Sequence, residues 1–352
     1  MLSARLARGL TQKALAERLG VTAQMVSYFE KGERNAAEHV GAYQESLGFP
    51  WEYFVSSELP TLDPSQVSFR SRRSLTATLR DKVIERSRYA SDLIAPALHA
   101  RFKFPDLDLP DFGSEGDPET AARLLREHWQ LGHGPIANIV HLLEAKGVNV
   151  YWLAENSPCV DALCFWRENR AFVFLNTFKD AGERGRFDAA HELAHLVLHR
   201  NAHDLGQEHE READRFASAF LMPREQFLLE TRGLRTLDDL KRVKPRWGTS
   251  VQAMVRRLYD LEVLSKWGYE SAFKELSMRG WRSKEPNAVA REESQLHNLV
   301  FQRLQTFGES PRIIADEVNL GLDDVLELMP VGGRFLKRGE GWNPGAFPVS
   351  LN

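Results

Sequence analysis

Phe187-Asp188-Ala189-Ala190-His191-Glu192-Leu193-Ala194-His195-Leu196-Val197-Leu198-His199 is the stretch on which the reading of this chain turns. Its apolar residues recur with helical spacing, so His191 and His195, four apart, project from one helix face a turn from each other. Two imidazoles so placed can converge on one zinc ion at about 2.0 to 2.1 Å each. Glu192 follows the first histidine directly, where its carboxylate can take a proton from a water activated by the ion rather than bind the metal. A zinc ion lowers the pKa of such a water to about 7, so the chemistry implied is hydrolysis of an amide.

Such a site needs a third protein ligand. The elongated motif of the metzincins would require glycine at 198 and histidine at 201, and the chain has Leu198 and Asn201. His199 lies about 12 Å along a continuing helix from His191, too far to share its ion. The next helical run, Glu208 to Leu221, brings Glu210 and Asp214 to one face. Glu210 can close the site while Asp214 accepts the second ring N–H of a ligating histidine. Glu212 is the competing ligand, and an exposed carboxylate favoured by the helix dipole is the bland account of Glu210.

Outward from this helix pair, Glu119 to Gln130 and Ile136 to Lys146 read as helices, the second stopped by Gly147. Val148 to Leu153, Ala162 to Trp166 and Ala171 to Asn176 alternate like strands, with a turn at Glu168-Asn169-Arg170. Leu237 to Leu261 reads as one long helix. His191 to His195, Glu210 to Asp214, Phe216-Ala217 and Leu221-Met222-Pro223 together resemble the ImmA/IrrE family of zinc metallopeptidases. Gly134-Pro135-Ile136, the strand Phe172 to Asn176, Arg186-Phe187 and Trp247 to Ser250 extend the likeness over about residues 119 to 262. The resemblance implies a zincin-like α+β domain in which His191, His195 and Glu210 hold zinc and Glu192 is the catalytic carboxylate. Ala194 stands where the family usually has glycine.

The N-terminal stretch Gly9 to Gly32 reads as two capped helices around a tight turn. Thr11 and Thr22 are N-cap residues, Gly20 suits the left-handed end of the first helix, and Ala16, Val21, Val26 and Phe29 supply a shared core. This resembles the Xre/Cro-like repressor family over roughly residues 1 to 57, although only eight residues precede Gly9 to form a first helix. On that geometry Gln24, Ser27 and Tyr28, with Thr22 at the start of the recognition helix, face base edges, while Gln12 and Lys31 contact phosphates of an operator. A glutamine such as Gln24 can read adenine bidentately.

A chain of 352 residues calls for several domains. The divisions expected are 1–60, the helix-turn-helix; 61–118, a basic helical segment and linker; 119–262, the peptidase-like domain; and 263–352, a helical C-terminal region. Arg70, Arg72, Arg73, Arg80, Lys82, Arg86 and Arg88 make the second part basic, either as a solvated helix face or as a phosphate-contacting extension. Arg312 to Met329 echoes a second helix-turn-helix, and Gly332 to Asn352 reads as loop. The fold class expected is α+β and mostly helical. Cys159 and Cys164 are too few for a disulfide framework, and no apolar run is long enough to span a membrane. The expectation is a cytoplasmic, zinc-dependent endopeptidase and DNA-binding regulator that acts on a protein substrate or partner regulator. The alternative is a repressor or antitoxin-type regulator that binds a partner without hydrolysis. Because one helix-turn-helix is small for specific binding to double-stranded DNA, a homodimer is expected.

Overall fold

Threonine caps open the fold, which is taken from a computed structural model and described for residues 1–56, 59–64, 67–70, 75–153, 159–177, 181–200, 202 and 206–330. Arg72, Arg73, Asn201 and the expected C-terminal loop from Gly332 to Asn352 lie outside the described residues. Helices α1 (Leu2–Ala7), α2 (Gln12–Leu19), α3 (Ala23–Glu30), α4 (Val40–Leu47) and α5 (Trp51–Val55) form the N-terminal bundle. Thr11 accepts from the backbone N–H of Ala14 and Thr22 from that of Met25, and Gly20 ends α2 at φ 67°. Leu15, Ala16, Val26 and Phe29 are buried between α2 and α3. The short α1 is held by Arg5, which reaches Glu30 of α3 at 2.6 Å.

A short strand β1 (Ser68–Arg70) follows, then α6 (Ala77–Arg88), a π-helical run over Tyr89–Ile94 and α7 (Ala95–Arg101). The arginines of α6 divide, which neither reading of the basic segment anticipates. Arg80 is exposed, but Arg86 is buried against Glu327 at 2.5 Å and Arg88 against Glu85 at 2.5 Å. Buried guanidinium groups must be paired, and these two serve packing.

The middle of the chain builds a small sheet under helices. After α8 (Pro118–His128) and α9 (Ile139–Ala145) come β2 (Asn149–Leu153), β3 (Ala162–Arg167) and β4 (Arg170–Asn176). Glu168 and Asn169 turn the β3–β4 hairpin with both φ positive, at 48° and 61°, as a tight two-residue hairpin turn demands. Among the described residues the strand order is β1-β3-β4-β2, with β2 parallel to β4 and the other pairs antiparallel. Helices α10 (Gly182–Leu198) and α11 (Gln207–Leu221) pack on each other, and α10 lies on the sheet.

The remaining helices are α12 (Arg224–Thr231), α13 (Leu237–Trp247), α14 (Val251–Asp260), α15 (Lys266–Met278), α16 (Gln295–Thr306), α17 (Arg312–Glu317) and α18 (Leu322–Leu328). The single helix expected over Leu237 to Leu261 is broken. Gly248 takes φ 62° and Ser250 caps α14 through the Ala253 N–H. A Cβ on Gly248 would fall 2.7 Å from Nε of Arg186, so this turn brings backbone onto the start of α10. The second helix-turn-helix echoed by Arg312 to Met329 is a pair of short helices, α17 and α18, packed into the second core described next.

Period-two alternation gives the sheet two apolar faces and the molecule two cores. Val150, Trp152, Cys164 and Val173 face a core with α8, α10, α11 and α14. Tyr151, Phe165, Phe172 and Phe174 belong to the other, together with Val26, Phe29, Ile84, Ile94, Ile314 and Val325. The helix-turn-helix therefore shares a core with α6, the C-terminal helices and the back of the sheet. Arg8 fixes it further, meeting Asp324 bidentately at 2.6 and 2.8 Å. The apolar packing cuts across the expected boundaries at 60, 118 and 262.

Candidate metal centre and nucleic-acid interface

Helix α10 begins at Gly182, five residues before the expected start, and buries its motif face. His191, Glu192 and His195 are 1%, 0% and 3% exposed, so each polar group needs a specific purpose or partner. Nε2 of His191 and Nε2 of His195 lie 3.1 Å apart. Glu210 of α11 closes a triangle of residues, its Oε2 3.4 Å from His191 Nε2 and its Oε1 3.3 Å from His195 Nε2. Ligands about 2.0 to 2.1 Å from a tetrahedral zinc are separated by about 3.3 Å. The two rings and the carboxylate thus approach one another at that separation, each ring facing its own oxygen of Glu210, and the donor set of two imidazoles and one carboxylate fits zinc. The helix pair brings Glu210 to this point, while Glu212 turns to His199 at 2.8 Å.

Around this triangle the other ring nitrogens are also engaged. Nδ1 of His191 is 2.9 Å from Asp214 Oδ1, the contact expected of a carboxylate that orients a metal-bound imidazole. Nδ1 of His195 is 2.9 Å from Nδ1 of His199. His199 does not join the triangle, as axial distance requires, but as the cap residue after Leu198 it contacts His195. Sequence reasoning missed that contact by testing His199 only as a ligand; four-residue spacing from His195 was the available signal.

Burial lowers the pKa of His195 to about 4, so its ring is neutral and keeps a lone pair at neutral pH. Burial pushes Glu210 the other way, yet its hydrogen bonds to His191 and His195 hold it well below the usual carboxylate range. Beneath the motif, the Cys164 thiol donates to the backbone carbonyl of Glu192 at 3.4 Å, and burial followed by the Glu192 charge pushes its pKa well up. Cys164 is a buried, protonated packing residue, and it is not joined to Cys159 in a disulfide. Arg186 reaches the carbonyl of Ile136 at 2.6 Å and the carboxylate of Glu292. It ties the start of α10 to the segment Gly134-Pro135-Ile136 quoted from the sequence.

The second candidate surface is the open face of α3. Thr22 and Gln24 are exposed, Ser27 and Tyr28 are half-buried, and Lys31 is exposed at the helix end. The Gln24 amide donates to the Tyr28 hydroxyl at 2.7 Å, which sets these two side chains in one place. The Thr22 hydroxyl serves the cap. Gln12 is half-buried and donates to Glu30 at 2.9 Å, so its amide is held by the pair that locks α1. Arg34, passed over in the sequence, lies 5.5 Å from the Tyr28 ring centroid and adds positive charge beside the face.

Comparison with known families agrees with both resemblances. Residues 143–259 match a peptidase family described as the IrrE N-terminal-like domain, which takes in α10, α11 and the three histidine and glutamate donors. Residues 1–40 match the helix-turn-helix family, which takes in α1 to α3. No curated protein matches the chain. Among the described residues, no helix is long and apolar enough to cross a membrane. The chain joins an Xre-like helix-turn-helix to a peptidase-family domain of the ImmA/IrrE kind.

Proposed function

We propose that the chain is a DNA-binding transcriptional regulator with a zinc-dependent endopeptidase site, which cleaves a peptide bond in a repressor or partner regulator. The observation that carries this reading is the convergence of His191, His195 and Glu210, whose Nε2 atoms lie 3.1 Å apart and 3.4 and 3.3 Å from the two carboxylate oxygens of Glu210. These three residues would hold the ion. Zinc bound there supplies Lewis-acid polarisation of a carbonyl and a water acidic enough to lose its proton near neutral pH. Glu192 takes that proton on a carboxylate oxygen and returns it to the leaving amine nitrogen. Asp214 holds the His191 ring. Glu210 stays anionic and His195 stays neutral, the protonation states a divalent cation needs.

On the DNA side, Gln24, Ser27 and Tyr28 read base edges and Lys31 contacts phosphate, with Thr22 and Gln12 at the margins. A homodimer on a two-fold operator supplies the interface area that one such unit lacks. The test of the endopeptidase is a survey of new protein N-termini in cells that make the parent chain or its Glu192→Gln variant. Cleavage products made only with the parent support the reading. Identical N-terminal profiles would point instead to a regulator that binds its partner without hydrolysis.

A further inference from the structure

The helix pair carries one polar chain that the proposed reaction does not use. It runs from His195 through His199 to Glu212, at 2.9 Å and 2.8 Å. We propose that His199 and Glu212 are positioning residues, a two-link relay that fixes the ring orientation and tautomer of His195 as Asp214 does for His191. The inference rests on the first triangle holding an ion.

Counting protons gives the argument. A neutral imidazole carries one ring proton, and a metal on Nε2 leaves it on Nδ1. His195 then donates from Nδ1 to Nδ1 of His199, which must be the acceptor. The proton of His199 is thereby forced to Nε2, where it donates to Oε2 of Glu212. Each link has one possible direction, and the chain ends on a carboxylate, the usual terminus for a ligating histidine's outer partners. Burial favours the arrangement: the His199 side chain is 5% exposed, while Glu212, at 35%, keeps contact with solvent. The fold explains the geometry too. Helix α10 ends at Leu198, and the backbone N–H of His199 still bonds to the His195 carbonyl at 3.0 Å, so its ring stays over the preceding turn.

A rival occupant makes the inference sharp. His199, His209 and Glu212 themselves present donor atoms within 4.8 Å of one another, beside a groove of about 640 Å³ that also exposes Asp111 and Glu115. A cation on Nε2 of His199 would need the nitrogen that the relay protonates. The relay and a second ion therefore exclude each other.

The experiment is zinc titration of the full chain against a chromophoric chelator. The parent should bind one zinc. His199→Ala should loosen it about 10- to 100-fold. His199→Asn should recover most of that loss, because the Asn amide oxygen occupies nearly the place of Nδ1 and can accept from His195; simple packing damage would not be repaired this way. His209→Ala should change nothing. Unaltered zinc affinity in His199→Ala overturns the relay alone. So does a second zinc equivalent that His209→Ala removes. A parent that binds no zinc removes the metal-centre reading, and the relay with it.

Discussion

The exposed face of α3 and the buried face of α10 carry similar numbers of polar side chains and treat them in opposite ways. On α10, His191, Glu192 and His195 are withdrawn from water, and each histidine is met on both ring nitrogens by groups from α10, its cap or α11. On α3, Gln24 and Lys31 stand in solvent, and the Gln24 amide donates to the Tyr28 hydroxyl of the same helix. The first arrangement is organised before any ligand arrives, which is what a metal centre needs to fix coordination geometry. The second leaves donors and acceptors in water, as the proposed reading of base edges, whose hydrogen bonds would replace those to water, requires.

That contrast can be broken at several points. The largest expected effect is at Glu192. Glu192→Gln removes the proton acceptor in an isosteric change and should cut hydrolysis about 10²- to 10⁴-fold while metal content and thermal unfolding stay as in the parent. Steady-state cleavage of an identified substrate, with metal analysis on the same sample, checks this. Arg8 tests the underside of the helix-turn-helix. Its side chain is 6% exposed and its partner Asp324 is 3% exposed. Arg8→Ala should cost about 3 to 5 kcal/mol in denaturant unfolding, because it removes the bidentate guanidinium from a buried carboxylate.

Smaller effects belong to the open face. Gln24→Ala should relax base preference by about 1 to 3 kcal/mol in operator binding yet move stability by no more than about 0.5 kcal/mol. An equal loss on all DNA sequences would remove Gln24 from base reading. Lys31→Ala should weaken every sequence alike and flatten the salt dependence by about one unit, read by anisotropy across a salt series. If neither change alters DNA affinity, α3 is an interaction surface of another kind.

What could be read from the sequence was local. Thr11, Thr22 and Gly20 announce their caps within four residues, and the His191, Glu192, His195 spacing needs only a helix to become a site. The strand β1 was illegible: it is three residues long and its partner β3 lies far along the chain. The burial of Arg86 depends on Glu327, and that of Arg8 on Asp324, so neither charge could be recognised as internal from its own neighbourhood. The four-part division missed the shared core for the same reason, since the sheet's alternation shows two apolar faces but not what covers each. The break at Gly248 was different. A glycine followed by Ser250 is a helix stop and a new cap, both available to a reader who weighed caps above continuous periodicity.

The central claim is that three side chains from two helices hold one ion and that a fourth, between the histidines, does not. Zinc analysis of the purified parent, His191→Ala and Glu192→Gln tests it most directly. The account predicts about one zinc per chain in the parent and in Glu192→Gln, and loss of that zinc in His191→Ala, where two remaining ligands are too few. Full occupancy in His191→Ala, or loss of zinc in a folded Glu192→Gln, would contradict it.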